Sequence, residues 1–378
     1  MNRPRIHVAQ PWLAGNEKKY VNECLDSGWI AAGRFVAEFE ERFAEFCGVK
    51  HAICCANGTS ALHAALLALG VGPGGEVLVP TLTYVSTANA VHYCGATPVF
   101  VDSEPLTMNI DPARVEAKIT ARTKGIIPVH LYGHPVDMLP IKDAMARRGL
   151  FVLEDAAEAH GAEYRGERAG SLATASIFSF YGNKIITTGE GGMVTTSDSQ
   201  LASRVRMIAG QGMDPERRYW FPMVGNNFRM TNLQAAIGVA QLEQIDLHLA
   251  KRRQVAGWYR KHLSGLQDMI TLPGEAPWAK HSFWMYTILL SENYPLSRDE
   301  FMEELDRSGI ETRPVFYPMH VMPPYREPNG KYPVAESLSK HGVNLPTHGM
   351  LTEEDIFFIA ACIRETCVRR PVAVASLS

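Results

Sequence analysis

Short apolar segments alternate with helical patterns between about residues 50 and 200. The segments are "HAICCA" (51–56), "EVLVP" (76–80), "TPVFVD" (97–102), "KGIIPVHLYG" (124–133) and "LFVLEDAAEAHGA" (150–162). Nearly continuous apolar strands that alternate with helices are typical of a mostly parallel sheet covered by helices on both faces. Ligands of such sheets bind beyond the carboxyl ends of the strands. The residues that follow each segment are therefore the first candidates for a functional site.

The pattern changes after about residue 245. A long helical pattern covers residues 231–263, and we expect it to bend and to link two domains. Beyond it, an apolar run at 283–290 and helical patterns at 298–309 and 354–366 indicate a compact α+β unit. The sequence thus predicts a large α/β domain over residues 1–245 and a smaller α+β domain over residues 246–378.

Composition narrows the class of protein. The formal net charge is −3, so no excess of basic residues points to nucleic acid or a membrane surface as a partner. The seven cysteines are odd in number and form no CxxC pair, which favours free thiols in a reducing compartment. The N-terminus lacks a signal-peptide pattern, and we expect a cytoplasmic protein.

His130 and His134 are four positions apart, but Gly133 and Pro135 disfavour a helix there, and we expect no metal site.

Lys184 lies between two predicted core strands. The segment "TASIFSF" precedes it, and glycines followed by the apolar run "GGMVTT" come after it. A lysine in this position either reaches water with its ammonium group or has a chemical role, because lysines are rarely fully buried. Taken alone, the lysine favours the first interpretation.

The segment "ANGTSAL" (56–62) separates a predicted strand from a predicted helix. Free backbone N–H groups and the helix dipole make such a junction a natural anion site, and Gly58 permits close approach to the backbone. Thr59 adds a hydroxyl group. An ordinary helix N-cap explains the same residue types.

Two further strand ends carry functional candidates. Asp155 and Glu158 follow a buried strand, where a carboxylate is costly unless it has a partner. Asp155 is placed to meet a cation at the sheet edge, although a salt bridge or a helix cap remains an alternative. Tyr84 follows the segment 76–80 and either packs in the core or stacks on a flat ligand.

An anion cradle, a carboxylate and a lysine thus follow three different strands. Pyridoxal phosphate requires all three groups. Its phosphate needs N–H and hydroxyl donors, its pyridine nitrogen needs a carboxylate, and its aldehyde needs a lysine. The combination predicts that this cofactor binds at the carboxyl edge of the sheet and explains why a lysine is found at position 184.

The chain also resembles the sugar aminotransferases of the DegT/DnrJ/EryC1/StrS family from about residue 6 to residue 364. The segments that carry the resemblance are "NGTSALHAAL", "VPTLTYVSTANAV", "GATPVFVD", "VHLYGHPVDM", "EDAAEAHGA", "FSFYGNKIITTGEGGMV", "NFRMTNLQAAIG" and "NLPTH". The resemblance implies the aspartate aminotransferase-like fold of pyridoxal-phosphate enzymes, type I. It also implies transamination, because relatives with histidine at the lysine position catalyse dehydration.

The resemblance assigns cofactor roles to matching positions. Lys184 would hold the cofactor and move the proton, and Asp155 would pair with the pyridine nitrogen. Glu158 would lie near the phenolic oxygen, where many relatives carry glutamine and a narrower group carries glutamate. Tyr84 would cover the ring.

The remaining cofactor contacts implied by the resemblance concern the phosphate. Gly58, Thr59 and Ser179 would hold it within one chain. Asn227 would reach the phosphate of a neighbouring subunit, which implies a homodimer with active sites at the subunit interface.

Two stretches, 210–230 and 313–325, most closely resemble the smaller group of family members that carry glutamate at the position of Glu158. They favour a GDP-linked 4-keto-6-deoxy sugar as acceptor at its C4 ketone, with L-glutamate as the amino donor. Possible substrate contacts are Trp29, Arg34, Asn183, Arg229, Tyr317 and His320. For Arg229, either the donor carboxylate or a sugar-nucleotide phosphate is the predicted partner.

The cofactor motifs leave the substrate open. A dTDP- or UDP-linked keto sugar, a sugar with a C3 ketone, and a cyclitol are all compatible with them. A non-catalytic protein that retains pyridoxal phosphate for a structural or sensing purpose is the alternative outside enzymology.

Overall fold

The computed structural model describes residues 4–368, and its strands are short. The strands are β1 His51–Cys55, β2 Glu76–Pro80, β3 Thr97–Val101, β4 Thr123–Ile126, β5 Phe151–Asp155, β6 Glu163–Tyr164, β7 Glu167–Arg168, β8 Ala175–Ser179, β9 Gly192–Thr196, β10 Ile270–Thr271, β11 Ala279–Lys280, β12 Tyr286–Leu290, β13 Arg313–Pro314 and β14 Gly342–Leu345. Seven of them form the central sheet in the order β1-β9-β8-β5-β4-β2-β3.

Helices lie before β1, after β14 and in several of the connections between strands. They are α1 Glu17–Ser27, α2 Arg34–Cys47, α3 Gly58–Ala68, α4 Ser86–Tyr93, α5 Met138–Ala146, α6 Ser199–Ala209, α7 Asn232–Leu242, α8 Ile245–His262, α9 Arg298–Arg307, α10 Pro333–His341 and α11 Glu353–Val368. Within the described residues, no helix combines the length and the apolar character needed to cross a bilayer.

The central sheet is parallel except at β9, which pairs antiparallel with both β1 and β8. The prediction of a mostly parallel sheet is therefore confirmed. The parallel strands β2, β4, β5 and β8 all end at one edge of the sheet. That edge is where the candidate residues of the sequence analysis meet.

The fourth predicted strand is much shorter than its apolar pattern. β4 ends at Ile126, and only the isolated bridge between Val129 and Asp155 continues the pairing. Pro128 has no backbone N–H group to donate to a neighbouring strand. Tyr132 then adopts a positive φ of 55°, which turns the chain away from the sheet. The apolar pattern in this segment therefore indicates burial and not strand length.

Phenylalanine side chains fill the space between α2 and the central sheet. The ring of Phe43, on α2, lies 4.9 Å from the ring of Phe178 and 5.3 Å from that of Phe180. Phe39 packs on the same group, and all four side chains are almost completely buried. This cluster fixes α2 against the strand that leads to Lys184.

A second core surrounds the four-stranded sheet β10-β12-β14-β13 and is covered by α8, α9 and α11. The predicted helix over 231–263 is two helices, with a break at Glu243 and Gln244. We propose that the boundary between the two predicted domains lies at this break. Ile6 pairs with Ile310 and packs in the second core, so the N-terminal segment contacts the smaller unit.

Replacing Phe43 with alanine is expected to destabilise the protein by about 3–5 kcal/mol, because removal of the buried aromatic ring leaves a cavity that its neighbours cannot fill. Denaturant unfolding followed by circular dichroism measures the loss. The matched control is Phe357→Ala, since that side chain is 55% exposed. Equal effects of the two substitutions would contradict the assignment of Phe43 to the core.

Candidate active site

A cavity of about 570 Å³ opens at the carboxyl edge of the central sheet. Eight residues singled out from the sequence line it: Gly58, Thr59, Tyr84, Asp155, Glu158, Ser179, Asn183 and Lys184. They come from loops, strand ends and the start of α3, which are far apart in the chain. The topology of the sheet therefore brings together the three predicted groups, namely the cradle, the carboxylates and the lysine.

Lys184 follows β8 in a turn, where its backbone N–H donates to the carbonyl of Tyr181 at 2.9 Å. Its side chain is only 11% exposed, and Nζ lies 3.5 Å from Oε1 of Glu158. Burial lowers the pKa of Lys184, while the charges of Glu158 and Asp155 oppose that change. The interpretation that the ammonium simply reaches water is wrong. An amine with a lowered pKa is suited to accept and release protons near neutral pH.

Asp155 is the last residue of β5 and is almost completely buried. Thr87 Oγ1 donates to its Oδ2 at 2.9 Å, and the N–H group of Ala157 donates to its Oδ1 at 3.2 Å. Burial raises the pKa of Asp155, and these two hydrogen bonds oppose the change. The two hydrogen bonds thus offset part of the cost of burying the carboxylate. The carboxylate can still stabilise a cationic nitrogen in the cavity.

Glu158 connects the lysine to the wall of the cavity. Its Oε2 accepts a hydrogen bond from the backbone N–H of Tyr132 at 2.8 Å, and its Oε1 faces Lys184. Burial raises the pKa of Glu158, whereas Lys184 and the Tyr132 hydrogen bond lower it. The side chain is therefore held in one orientation from both ends.

The predicted anion cradle is the N-terminus of α3. Asn57 caps the helix with its side chain, which accepts from the N–H group of Ser60 in a capping box. The N–H groups of Gly58 and Thr59 belong to the first turn, which has no intrahelical acceptors. A Cβ atom at Gly58 would lie 2.9 Å from the Cβ of Ser179. Only glycine lets the helix end approach the end of β8 so closely.

These residues fit pyridoxal phosphate. The helix end and Ser179 supply donors for a phosphate, Asp155 supplies a buried carboxylate, and Lys184 supplies an amine with a lowered pKa. Asn183 adds a further indication, because its Oδ1 is buried and has no hydrogen-bond partner within residues 4–368. Such an orphaned acceptor is suited to a donor group on a bound ligand.

The other residues predicted to contact substrate or partner lie outside this cavity. Trp29 and Arg34 line a separate cavity beside α1 and α2. Asn227 and Arg229 lie exposed in the segment that precedes α7. Tyr317 lines another cavity. Within one chain, these side chains are therefore not assembled with Lys184.

His320 is placed differently from a substrate contact. It is 4% exposed, and its Nδ1 lies 2.7 Å from Thr81 Oγ1 while its Nε2 lies 3.2 Å from Glu336 Oε1. Both ring nitrogens thus already have partners inside the chain. His320 thus connects the loop after β2 to the segment after β13, and its predicted contact with the substrate stays a prediction.

Sequence reasoning missed several residues that line the cavity. Among them, Tyr132 lies in the turn after β4, Trp284 in the loop before β12, Arg313 on β13 and Phe316 just after β13. Among the described lining residues, Arg313 and Lys184 are the cationic ones. The pairing of β13 with β14 places Arg313 at the cavity. No local pattern in the sequence marks this position, because it depends on contacts between distant segments.

Comparisons with known proteins agree with this site. The sequence pattern of the DegT/DnrJ/EryC1/StrS aminotransferase family matches residues 11–364. The chain is 57% identical to GDP-perosamine synthase of Caulobacter vibrioides, over 97% of this chain and 99% of that protein. It is 48% identical to GDP-perosamine synthase of Escherichia coli O157:H7, over 95% of this chain and 98% of that protein.

Solved structures show the same architecture. DesV of S. venezuelae superposes with a TM-score of 0.91 at 36% identity, covering 97% of this chain and 100% of that one. PseC of Helicobacter pylori, an aminotransferase involved in the biosynthesis of pseudoaminic acid, gives a TM-score of 0.91 at 29% identity, covering 96% and 99%. The predicted aspartate aminotransferase-like fold is confirmed.

Replacing Asp155 with asparagine is expected to stabilise the cofactor-free chain at pH 8 and to weaken cofactor binding at least about tenfold. Because burial raises its pKa, the folded chain holds the Asp155 proton more tightly than the unfolded chain does. The stability from this group is therefore present at low pH and is lost as pH rises through the folded-state pKa.

Thermal unfolding of the cofactor-free protein at pH 8 and pH 4, together with titration by pyridoxal phosphate, checks this prediction. The gain in unfolding temperature should be larger at pH 8. Asp268→Asn, at an exposed position, is the control. A loss of stability that is equal at both pH values would contradict the argument.

Proposed function

The chain belongs to the DegT/DnrJ/EryC1/StrS aminotransferase family, and we propose that its acceptor is the C4 ketone of GDP-4-keto-6-deoxy-D-mannose. It is an aminotransferase that acts on a nucleotide-linked sugar and uses pyridoxal phosphate. With L-glutamate as donor, the products would be GDP-perosamine and 2-oxoglutarate. The observation that carries the choice of sugar is the identity of 57%, 48% and 41% to three GDP-perosamine synthases over nearly their full lengths.

In this proposal, Gly58, Thr59 and Ser179 hold the cofactor phosphate, and Tyr84 covers the ring. Asp155 keeps the pyridine nitrogen protonated, and Glu158 lies near the phenolic oxygen. Bound pyridoxal phosphate supplies an electron sink that makes the proton on the carbon next to the donor nitrogen removable. The buried carboxylate supports this because it holds a cationic nitrogen in a site with little water.

Lys184 performs the proton transfers. It would hold the cofactor through Nζ, and the same Nζ, when free, would accept the proton from the α-carbon of the donor. With the keto sugar as substrate, Nζ would work in the opposite direction and deliver a proton to the sugar C4. One amine serves both directions because burial brings its pKa down from the value of an exposed lysine.

The donor carboxylates need a cation. We propose Arg313 as one partner, since it and Lys184 are the cationic residues among the described residues that line the cavity. Its guanidinium also pairs with Glu311 at 3.5 Å. Arg229 remains the other candidate, acting across a subunit interface. In this proposal, the unpartnered Oδ1 of Asn183 would accept a hydrogen bond from a sugar hydroxyl.

Incubation with L-glutamate and three nucleotide sugars in parallel tests the choice of substrate. GDP-4-keto-6-deoxy-mannose should be converted to the amino sugar, and dTDP- and UDP-4-keto-6-deoxy-glucose should react at least about tenfold more slowly. Mass spectrometry detects replacement of the ketone by an amine. Preferred conversion of another sugar would keep the aminotransferase and overturn the GDP assignment.

Lys184→Ala in the same assay should lower the rate by about 10³-fold or more, because the proton carrier is lost. Lys142→Ala, at an exposed position on α5, is the matched control.

If every nucleotide sugar is inert with the wild-type protein while glutamate still yields 2-oxoglutarate, a 3-keto sugar or a cyclitol becomes the acceptor. If glutamate is inert as well, a non-catalytic role is supported.

We further propose a homodimer in which Asn227 of the partner subunit contacts the cofactor phosphate. Asn227 lies exposed and outside the cavity of its own chain, which agrees with a role in another subunit. In a two-fold symmetric dimer, each site would then combine Lys184 of one chain with Asn227 of the partner subunit.

Complementation between two inactive variants tests the shared site. Co-expression of Lys184→Ala and Asn227→Ala chains gives hybrid dimers with one intact site each, and about a quarter of the wild-type activity should return. Purified single variants provide the baselines. No recovery in hybrids of confirmed mixed composition would show that both residues act within one chain.

A further inference from the structure

Trp284 lies in the loop that leads into β12, and its side chain is part of the cavity wall. We propose that Trp284 is a positioning residue that holds Lys184 in place and stabilises its charged form while the lysine carries a proton. The inference rests on the proposed role of Lys184 in proton transfer. It gives a function to a side chain that lies against the ammonium of Lys184.

Two contacts join Trp284 to the lysine. The indole Nε1–H donates to the backbone carbonyl of Asn183 at 2.8 Å, and the ammonium of Lys184 lies 3.8 Å from the ring centroid. The first contact fixes the backbone just before the lysine. The second is a cation–π interaction, which becomes stronger when water is excluded. A single rigid side chain therefore fixes both the start and the end of the lysine side chain.

The ammonium is enclosed from two sides. Oε1 of Glu158 lies 3.5 Å from Nζ, and the indole face covers another side. Both neighbours favour the charged amine, whereas burial favours the neutral one. Without Trp284, the balance would move toward the neutral amine, and the long side chain of Lys184 would have more freedom.

Trp284 is itself held firmly. Nη1 of the buried Arg252 donates to its backbone carbonyl at 2.9 Å. Its ring stacks on Tyr132, with centroids 6.1 Å apart and planes inclined by 23°. The backbone N–H of Tyr132 in turn binds Glu158. The indole and the carboxylate on either side of the ammonium thus share one support, which fixes the position of Nζ.

Other ionisable groups also face the lysine or line the cavity. They are Asp155 at the end of β5, Glu158 and His160 after β5, Tyr132 after β4, Tyr84 after β2, Tyr181 in the turn after β8, Glu190 before β9 and Arg313 on β13. Substitution of Trp284 removes none of these groups and changes no formal charge. A changed titration of Lys184 in such a variant therefore reports the loss of the indole, both as a direct contact and as the support of Tyr132 and Glu158.

The test compares Trp284→Leu and Trp284→Phe with the wild type, and uses Trp278→Phe as the control. Trp278 packs against His134 and Tyr164 and does not line the cavity. Acetylation of Lys184 in the cofactor-free full chain is followed against pH by peptide mass spectrometry. The plateau at high pH measures access to the amine, and the midpoint measures its protonation.

In Trp284→Leu, the midpoint should move to lower pH, so that acetylation at pH 7 is about 3- to 10-fold faster relative to the plateau. The acid limb of the kcat profile of the cofactor-loaded enzyme should move in the same direction. Trp284→Phe keeps a ring face and loses the N–H donor. Its midpoint should stay near that of the wild type while kcat falls about tenfold.

An unchanged midpoint in Trp284→Leu, with only the plateau altered, would overturn the electrostatic part of the proposal. Wild-type kcat in Trp284→Phe would overturn the positioning part, and this variant is informative even if the leucine variant fails to fold. The acetylation midpoint needs no turnover. If the wild type aminates no sugar while the midpoint still moves, the proposed function fails and the contact between Trp284 and the Lys184 charge stands.

Discussion

The interaction on which the site depends is the burial of one ammonium among carboxylates at the edge of the central sheet. Lys184 is enclosed with Glu158 at 3.5 Å, and Asp155 lies close enough to influence its titration. Burying charges is costly, and a fold tolerates it only where partners are fixed in position. The hydrogen bonds from Thr87 and from the Tyr132 backbone supply that fixation.

The topology of the sheet explains why these groups meet. Parallel strands bring their carboxyl ends to one edge, so residues after β2, β5 and β8 converge although about a hundred positions separate the first from the last. β1 runs parallel to β8 because both pair antiparallel with β9, and the start of α3 therefore joins the same edge. Glycine at position 58 is needed there, because a side chain would meet Ser179.

The site residues that could be predicted from the sequence are those at the ends of the parallel strands. Asp155, Ser179 and Lys184 lie at or just after strand ends, and a strand end is visible as the end of an apolar run. Trp284 and Arg313 were not predictable in this way, since they reach the cavity only because the segments around β12 and β13 pack against the end of the central sheet. His320 shows the same dependence on contacts between distant segments. A sequence pattern marks its neighbourhood, but only the structure reveals that Thr81 and Glu336 occupy both ring nitrogens.

The features that suit the site to a cofactor also destabilise the cofactor-free protein. Burial raises the pKa values of Asp155 and Glu158, lowers that of Lys184, and leaves Asn183 Oδ1 without a partner. Each is a cost that a ligand with a cationic nitrogen, an aldehyde and hydrogen-bond donors can offset. Because the ligand binds the folded chain and not the unfolded one, its binding free energy adds to stability. The fold thus places these buried charges and the unpartnered amide oxygen together at one sheet edge. A single bound cofactor can interact favourably with several of them at once.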